Sequence, residues 1–255
     1  MQRRALRGDG HYSVCGYYRC MTKPPLCAVL FDFDGTLGYY LPTHLELYVQ
    51  AAATHGIAVT TEALASAVDA AWGPWETVYG VNHSAHSGDE ASYLAIRALL
   101  HRGRFEAAGV RTDDATMQAM TAFLCISEQE PIHFALYDDA IPALERVRAA
   151  GTPAYIVSNH IWRLPEVIEA LGLSQYIAAT LTSARVGYRK PHPKIFEAAI
   201  AVARGEATSM LYVGDNPTHD VLGARAAGMR AVLIDRRGSS GDATAIRSLM
   251  EVPLW

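Results

Sequence analysis

The sequence predicts an α/β protein: a doubly wound parallel sheet that carries an inserted α-helical cap domain. From Tyr137 onward, short apolar runs alternate with helical segments, which is typical of a parallel sheet with helices on both faces. Before that region lies a long stretch in which apolar residues recur at helical spacing. We therefore expect an α/β core at residues 25–39 and 135–255, interrupted by a cap domain at residues 40–134.

The individual elements follow from apolar periodicity and from the residues that begin or end helices. The first strand is expected at Cys27–Phe33, where an apolar run leads into polar turn residues. Thr43, Thr61 and Thr112 are predicted N-caps, because a threonine hydroxyl can accept a hydrogen bond from the first helical turn. Residues 73–88, rich in glycine, aromatic residues and histidine, are expected to form a loop. The other predicted elements are the helices Thr43–His55, Thr61–Trp72, Asp89–Leu100, Asp113–Ile126, Ala140–Ala150, Leu164–Leu171, Pro193–Ala203 and Thr218–Ala227, and the strands Ala154–Val157, Ala178–Thr182, Met210–Val213 and Arg230–Ile234.

Composition limits the classes of partner. The chain has 255 residues, a formal net charge of -4 and 50% hydrophobic residues, which is ordinary for a soluble globular protein. This charge gives no reason to expect nucleic acid, and no apolar run approaches the ~20 residues of a membrane span. Residues 1–24 are expected to be a disordered extension, or to include an upstream start with Met21 as the natural one. The four scattered cysteines indicate a reducing, cytoplasmic setting. We expect a monomer or a homodimer.

The most informative motif comes directly after the first predicted strand. Asp32 and Asp34 lie two residues apart there and are followed by Gly35 and Thr36. Two carboxylates this close repel each other and are costly to bury, so we expect a cation beside them. The usual cation is a divalent metal that also binds a phosphate. The glycine permits a tight turn around a small anion. Taken alone, the motif is also compatible with an ordinary strand-to-loop turn.

Further polar residues lie at the ends of later strands and at a helix entry. Ser158 and Asn159 close one predicted strand, Asp215 closes another, and Asp220 follows in the next helix. Because ligands of open parallel sheets bind beyond the carboxyl ends of the strands, these side chains can converge on one crevice. Lys190 precedes a proline at a helix entry and is one of only three lysines in the chain, which argues against a generic surface residue. Ser158-Asn159 could also be an N-cap, and Asp215 a turn residue.

Together, these residues form four ordered motifs that resemble those of the haloacid dehalogenase-like (HAD) hydrolases. The resemblance covers about residues 27–236 and includes the position of a helical cap. It implies a Rossmann-like core and a Mg²⁺-dependent phosphatase that hydrolyses a phosphate monoester of a small metabolite. The motifs are Phe31–Leu37 (FDFDGTL), Ser158-Asn159, Lys190-Pro191, and Gly214-Asp215 with Asp220.

The resemblance implies a role for each of the four aspartates. Asp32 would be the nucleophile that forms an aspartyl-phosphate, and Asp34 the general acid for the leaving alcohol and then the base for water. Mg²⁺ would be held by the carboxylates of Asp32 and Asp215 and by the backbone carbonyl of Asp34, with Asp220 in or near its coordination sphere.

The resemblance also implies phosphate-binding groups, whereas the cap residues are a separate hypothesis. Ser158 and Lys190 would bind the phosphoryl oxygens, and Asn159 is a further candidate beside them. In the predicted loop, Trp75 and Tyr79 are candidates for stacking on the substrate, although either could belong to a core instead.

Several alternatives remain open at the level of sequence. A phosphomutase of the same superfamily would need a cationic grip on a second phosphate, and the predicted cap offers only Arg97, Arg102, Arg104 and Arg111. The second acid of the first motif argues against a dehalogenase. A signalling receiver domain would lack the long helical insertion, and an inactive binding module would have lost an acid that is present here.

Overall fold

The computed structural model describes residues 25–67 and 84–254 of the chain. The expected extension at residues 1–24 therefore lies outside the described residues. The predicted α/β fold is confirmed, since the central sheet has five strands that are all parallel. Its strands are β1 (Ala28–Phe31), β4 (Ala154–Ser158), β5 (Ile177–Thr182), β6 (Met210–Gly214) and β7 (Arg230–Leu233).

The first strand of the chain lies at the centre of this sheet, whose order is β5-β4-β1-β6-β7. Strand β1 is buried along its whole length and alternates its side chains between two apolar layers. Val29 and Phe31 belong to one layer, and Ala28 and Leu30 belong to the other. An apolar run without polar alternation is typical of such a doubly covered strand.

Helices cover the sheet and form the insertion. None of the helices in the described ranges is long and apolar enough to cross a membrane. The helices are α1 (His44–Ala53), α2 (residues 61–67), α3 (Glu90–Ala107), α4 (Asp114–Ser127), α5 (Ala140–Ala149), α6 (Leu164–Ala170), α7 (Ser183–Val186), α8 (Pro193–Ala203) and α9 (Gly223–Ala226).

One predicted N-cap is confirmed and two are wrong by one residue. Thr43 begins α1 and forms a capping box with Glu46. The cap of α2 is Thr60 instead of Thr61, since the Thr60 hydroxyl accepts a hydrogen bond from the backbone amide of Ala63. The cap of α4 is Asp113 instead of Thr112. The reason is that a carboxylate at this position accepts a hydrogen bond from the first turn and favours the positive end of the helix dipole.

A short antiparallel ribbon joins the core to the insertion, and the sequence did not predict it. Strand β2 (Gly38–Tyr40) pairs with β3 (Phe134–Leu136), and Gly38 lies opposite Leu136. The chain therefore leaves the core and returns to it through adjacent strands. A strand of three residues is too short to show the alternation of apolar and polar residues that indicates a strand, and β2 and β3 are far apart in sequence. The sequence pattern therefore did not indicate this pairing.

We refer to α1–α4 as the helical block. Its apolar residues form a cluster of their own, which includes Leu47, Phe105 and Met120. The block also touches the loop that follows β4: Arg163 pairs with Glu90, and Trp162 packs against Tyr93 with ring centroids 6.2 Å apart. These contacts place α3 beside the carboxyl edge of the sheet, where we propose that the block acts as the cap domain.

A buried ionic cluster connects α1, α3 and the end of α4. The side chain of Glu128 is 0% exposed and accepts hydrogen bonds from both Nε and Nη2 of Arg97. Nε2 of His44 and Nε2 of His101 each lie 3.4 Å from Glu128 Oε2. The hydroxyl of Tyr40, on β2, donates to the backbone carbonyl of Glu128. The cluster therefore satisfies a carboxylate that would otherwise be very costly to bury.

We expect this cluster to make the folded state sensitive to acid through His101. Burial lowers the pKa of His101 to about 4, below the ordinary value of an unfolded histidine, about 6.5. Between these values the unfolded chain binds more protons, so the free energy of unfolding should fall as the pH falls. The loss of stability from this one residue should be on the order of 2 kcal/mol between about pH 7 and pH 4.5.

Urea unfolding at several pH values measures this dependence. The slope of the unfolding free energy against pH should be shallower for His101→Gln than for wild type across this range, by up to one proton. His55→Asn, in the exposed turn after α1, is the control and should keep the wild-type slope. Parallel slopes for wild type and His101→Gln would contradict the assignment.

Candidate active site

The polar residues at three adjacent strand ends meet at the carboxyl edge of the sheet. Asp32 directly follows β1, Ser158 is the last residue of β4, and Asp215 directly follows β6. Since β4, β1 and β6 are neighbours, the sequence prediction that these side chains share one edge agrees with the sheet order. Asp32 and Ser158 are both buried, with 7% and 1% of their surface exposed.

The loop after Asp32 turns sharply because of Gly35. Its φ of +72° lies in the left-handed region that favours glycine. A Cβ atom on Gly35 would lie 2.2 Å from Oδ2 of Asp215, so any other residue would displace that carboxylate. The amides of Thr36, Leu37 and Gly38 all donate to the carbonyl of Phe33, which holds the turn closed.

A second glycine makes room for Asp220. The predicted helix at Thr218–Ala227 instead begins as a wide π-helical turn, Pro217–Leu222, before α9. This turn brings the Asp220 carboxylate back beneath the end of β6, where its Oδ2 accepts a hydrogen bond from the amide of Asn216. A Cβ on Gly214 would lie 2.3 Å from the same oxygen. The spacing between Gly214 and Asp220 is therefore a packing requirement.

Three carboxylates come together at this edge and could hold a metal ion. Asp32, Asp215 and Asp220 each offer one oxygen, and these atoms lie within 4.8 Å of one another. Such oxygen donors suit a hard divalent cation such as Mg²⁺. Asp34 also lies in this loop, and its backbone forms a bridge to Gly38.

The acidity of these residues reflects their crowding. Burial and the charge of Asp32 raise the pKa of Asp220 to about 6. Asp215 is solvent-exposed as a residue, but partial burial of its carboxylate, again together with Asp32, raises its pKa to about 7. Like charges that lie close together disfavour ionisation, so both pKa values are raised. A bound cation would reduce this repulsion between the carboxylates.

Lys190 is the cation that the site already contains. Its side chain is 2% exposed, and Nζ lies 2.8 Å from Oδ1 of Asp32 and 2.6 Å from Oδ1 of Asp220. Nζ also donates to the hydroxyl of Tyr212, which in turn donates to the carbonyl of Val157. Burial alone would lower the pKa of Lys190, but the charges of Asp32 and Asp220 outweigh burial and raise it. The lysine is therefore charged beside the predicted nucleophile.

The side chain of Asn159 contacts the backbone of Lys190. Its Nδ2 donates to the carbonyl of Lys190 at 2.9 Å, and its Oδ1 accepts from the amide of Lys190 at 2.7 Å. One N–H and one lone pair of the amide are thus used to hold the backbone that carries the lysine. The phosphate-binding role of Asn159 stays a prediction.

Two further residues at the site were missed by sequence reasoning. Tyr212 was read as an ordinary buried strand residue, but its hydroxyl contacts Lys190. His160, directly after Asn159, lies with its Nε2 3.4 Å from Oδ2 of Asp34. Its position beside the second motif was the one signal that could have drawn attention to it.

The predicted substrate contacts of the cap cannot be placed. Trp75 and Tyr79 both lie outside the described residues. Their role stays a prediction.

Comparison with known proteins identifies the family. A family model described as a haloacid dehalogenase-like hydrolase matches residues 27–228. Phosphoserine phosphatase of Thermus thermophilus is 30% identical, over 82% of this chain and 88% of that protein. Ribulose-1,5-bisphosphate 5-phosphatase of Halopiger xanaduensis is 29% identical, over 85% of this chain and 87% of that protein. Among solved structures, the HAD phosphatase of Thermococcus onnurineus aligns with a TM-score of 0.57 and 26% identity, covering 88% of this chain and 94% of that one.

The family match includes the three strand ends that form the candidate active site. It runs from the residue before β1 to beyond α9, and so contains the aspartates, Ser158 and Lys190. It spans well over half of the chain, and the resemblance predicted from the four motifs is confirmed. The chain is an enzyme that belongs to the haloacid dehalogenase-like hydrolase family.

Proposed function

We propose that the protein is a Mg²⁺-dependent phosphatase that hydrolyses a small-molecule phosphate monoester through an aspartyl-phosphate. One observation carries this proposal: the buried carboxylate of Asp32 lies beside both the Lys190 ammonium and two further carboxylates. That arrangement offers a nucleophile, a fixed cation for the phosphoryl group and a set of oxygen ligands for a metal ion.

In the first step, a carboxylate oxygen of Asp32 attacks phosphorus, and the bond from phosphorus to the ester oxygen breaks. Asp34 gives its proton to that departing oxygen, so the product leaves as a neutral alcohol. In the second step, water attacks the phosphorus of the aspartyl-phosphate while the Asp34 carboxylate takes up a proton from it. The bond between phosphorus and Asp32 breaks, and inorganic phosphate and both starting carboxyl states are restored.

The same residues suit a bound Mg²⁺. Asp32, Asp215 and Asp220 would hold it with their carboxylates, and Asp34 with its backbone carbonyl. When bound, the ion neutralises the repulsion among the acids and polarises a phosphoryl oxygen. Lys190 would bind another phosphoryl oxygen, and Ser158 a third.

The substrate class is supported by the relatives. One is called a phosphoserine phosphatase and another a ribulose-1,5-bisphosphate 5-phosphatase, which both name small phosphorylated metabolites. We place this chain among enzymes of such metabolites, acting as a monomer or homodimer in the cytoplasm. A reducing compartment suits Cys27 and Cys125, the cysteines among the described residues, because both are free thiols.

Hydrolysis is favoured over phosphomutation by the partners of the arginines in the helical block. A mutase needs a cation that is available for a second phosphate. Each arginine here is engaged within the block, and residues 68–83 contain neither lysine nor arginine. The partners are Glu128 for Arg97, Glu106 and Asp114 for Arg102, the ring of Tyr48 for Arg104, and backbone carbonyls for Arg111.

We expect release of inorganic phosphate from nitrophenyl phosphate to require Mg²⁺ and to be lost in Asp215→Asn. One carboxylate fewer weakens a hard-cation site, so the variant should need far more Mg²⁺ for any remaining activity. Asp242→Asn is the matched control, because Asp242 is exposed and its Oδ1 accepts hydrogen bonds from the amide and the hydroxyl of Thr244. Full activity in EDTA-treated protein that contains no metal by elemental analysis would overturn the metal assignment.

A further inference from the structure

We propose that His160 is a positioning residue for Asp34: its Nε2–H group holds one carboxyl oxygen of Asp34 and thereby orients the other oxygen for proton transfer. The inference rests on the proposed function, since it concerns the group that we assign as general acid and base. It concerns a side chain that the four family motifs do not include.

The position of the imidazole ring is fixed by its neighbours. His160 is buried, and its ring stacks on Tyr40 with centroids 5.7 Å apart and planes 5° from parallel. Phe33 and Phe134 pack against it at 5.5 and 5.6 Å. The hydroxyl of Thr182 donates to the carbonyl of His160 at 2.6 Å and so holds its backbone. A ring enclosed in this way cannot turn without displacing three aromatic side chains.

The hydrogen bonds of the ring determine where its proton lies. The backbone amide of Ile161 donates to Nδ1 of His160 at 2.9 Å, so Nδ1 is an acceptor. In a neutral imidazole the other nitrogen then carries the proton, which makes Nε2 a donor. This Nε2 is buried and has no hydrogen-bond partner of good geometry among the described residues. Oδ2 of Asp34, at 3.4 Å, is the acceptor that it faces.

Asp34 needs such a partner more than Asp32 and Asp220 do. Its side chain is 45% exposed, whereas Lys190 is paired with Asp32 and Asp220. An exposed carboxyl group on a turn can adopt several rotamers, and proton transfer needs one of them at hydrogen-bond distance. A donor at Oδ2 selects one rotamer and leaves the acid proton on Oδ1, where the leaving oxygen can receive it.

The role predicts a dependence on the leaving group. An alkoxide is a poor leaving group and needs the proton of Asp34, whereas nitrophenolate departs without it. A defect in the position of Asp34 should therefore slow hydrolysis of an alkyl phosphate but not the first step with nitrophenyl phosphate. If His160 only contributes to core packing, its substitution should lower the rates on both substrates by similar factors.

Two substitutions separate the contacts of the ring. In His160→Asn, Oδ1 can still accept from the Ile161 amide, but no donor reaches Asp34. In His160→Gln, the longer side chain restores an N–H donor near the place of Nε2 but gives up the acceptor for Ile161. Both lose the stacked ring, so recovery in Gln alone would depend on the donor to Asp34. His55→Asn, in the exposed turn after α1, controls for a general effect of removing a histidine.

Single-turnover release of nitrophenolate and steady-state hydrolysis of propyl phosphate should be compared in these variants with saturating Mg²⁺. We expect kcat of His160→Asn on propyl phosphate to fall about ten- to hundredfold, with KM and the nitrophenolate rate within about threefold of wild type. His160→Gln should recover most of the lost kcat. Equal losses on both substrates, or no recovery with Gln, would overturn the proposal.

A measurement on the wild type guards against variants that fail to fold. Nitrogen-15 NMR of the labelled imidazoles at a pH where they are neutral should show the Nε2–H tautomer for His160, and an Nδ1–H tautomer would overturn the proposal. If wild type releases no phosphate from either substrate, it is the proposed phosphatase function that fails. The tautomer remains measurable in that case and tests the geometry separately.

Discussion

Replacing Asp32 with asparagine is expected to abolish turnover while leaving the protein folded. A carboxamide is a poor nucleophile, so the covalent route is closed, and kcat should fall below about 1% of wild type. The change hardly alters volume. It also removes a charge that raises the pKa of Asp215 and of Asp220, so the crowding of carboxylates is eased. Thermal unfolding and phosphate release from nitrophenyl phosphate, measured on the same sample, check both parts.

Asp34→Asn is the matched control for the nucleophile. It keeps Asp32 but lacks the base for the second step, so acid-quenched samples should contain a stable phosphoenzyme after exposure to nitrophenyl phosphate. Asp32→Asn should contain none. Turnover above about 1% in Asp32→Asn, or an equal phosphoenzyme signal in both variants, would contradict the assignment of the nucleophile.

Lys190→Met is expected to have the second largest effect, because it removes the cation that the buried carboxylates share. Asp32 and Asp220 would then lie unpaired beside each other, and breaking a buried ion pair by removing one partner costs about 3–5 kcal/mol. The transferred phosphoryl group would also lose a fixed positive charge, so kcat should fall by at least about a hundredfold. Urea unfolding in EDTA and steady-state kinetics in Mg²⁺ measure the two effects.

Lys194→Met provides the comparison for this substitution. Lys194 belongs to the same helix entry, but it is exposed and its Nζ donates to the hydroxyl of Tyr188. We expect stability and kcat close to those of wild type. If Lys190→Met were as stable as Lys194→Met, the ion pairs of Lys190 would not stabilise the folded state as argued.

The central sheet and the gathering of motif residues could be predicted from the sequence because both depend on local patterns. An apolar run followed by acids marks a strand end, and parallel strands bring such ends to one edge. For the same reason, Asp32 and Asp215 could be placed together although they are far apart in the chain. The scarcity of lysine pointed to Lys190 before any distance was known.

The missed features depend on contacts between distant segments. The hydrogen bonds of Asn159 to the Lys190 backbone join residues that are 31 positions apart, so no local pattern indicates them. His160 carries no periodic signal, and its approach to Asp34 follows from the pairing of β1 with β4. The partners in the Glu128 cluster likewise come from different helices, so the sequence contained no spacing that could reveal it.

The β2–β3 ribbon has an evolutionary consequence. Because Gly38 lies directly opposite Leu136, the two points at which the helical block is attached are adjacent in space. Inserted segments whose ends lie close together can be lengthened, shortened or exchanged without altering the order of the surrounding strands. Substitution of the whole block by recombination would therefore leave Asp32 and Lys190 undisturbed. A lineage with this architecture can exchange one segment while it keeps the strand ends that carry these residues.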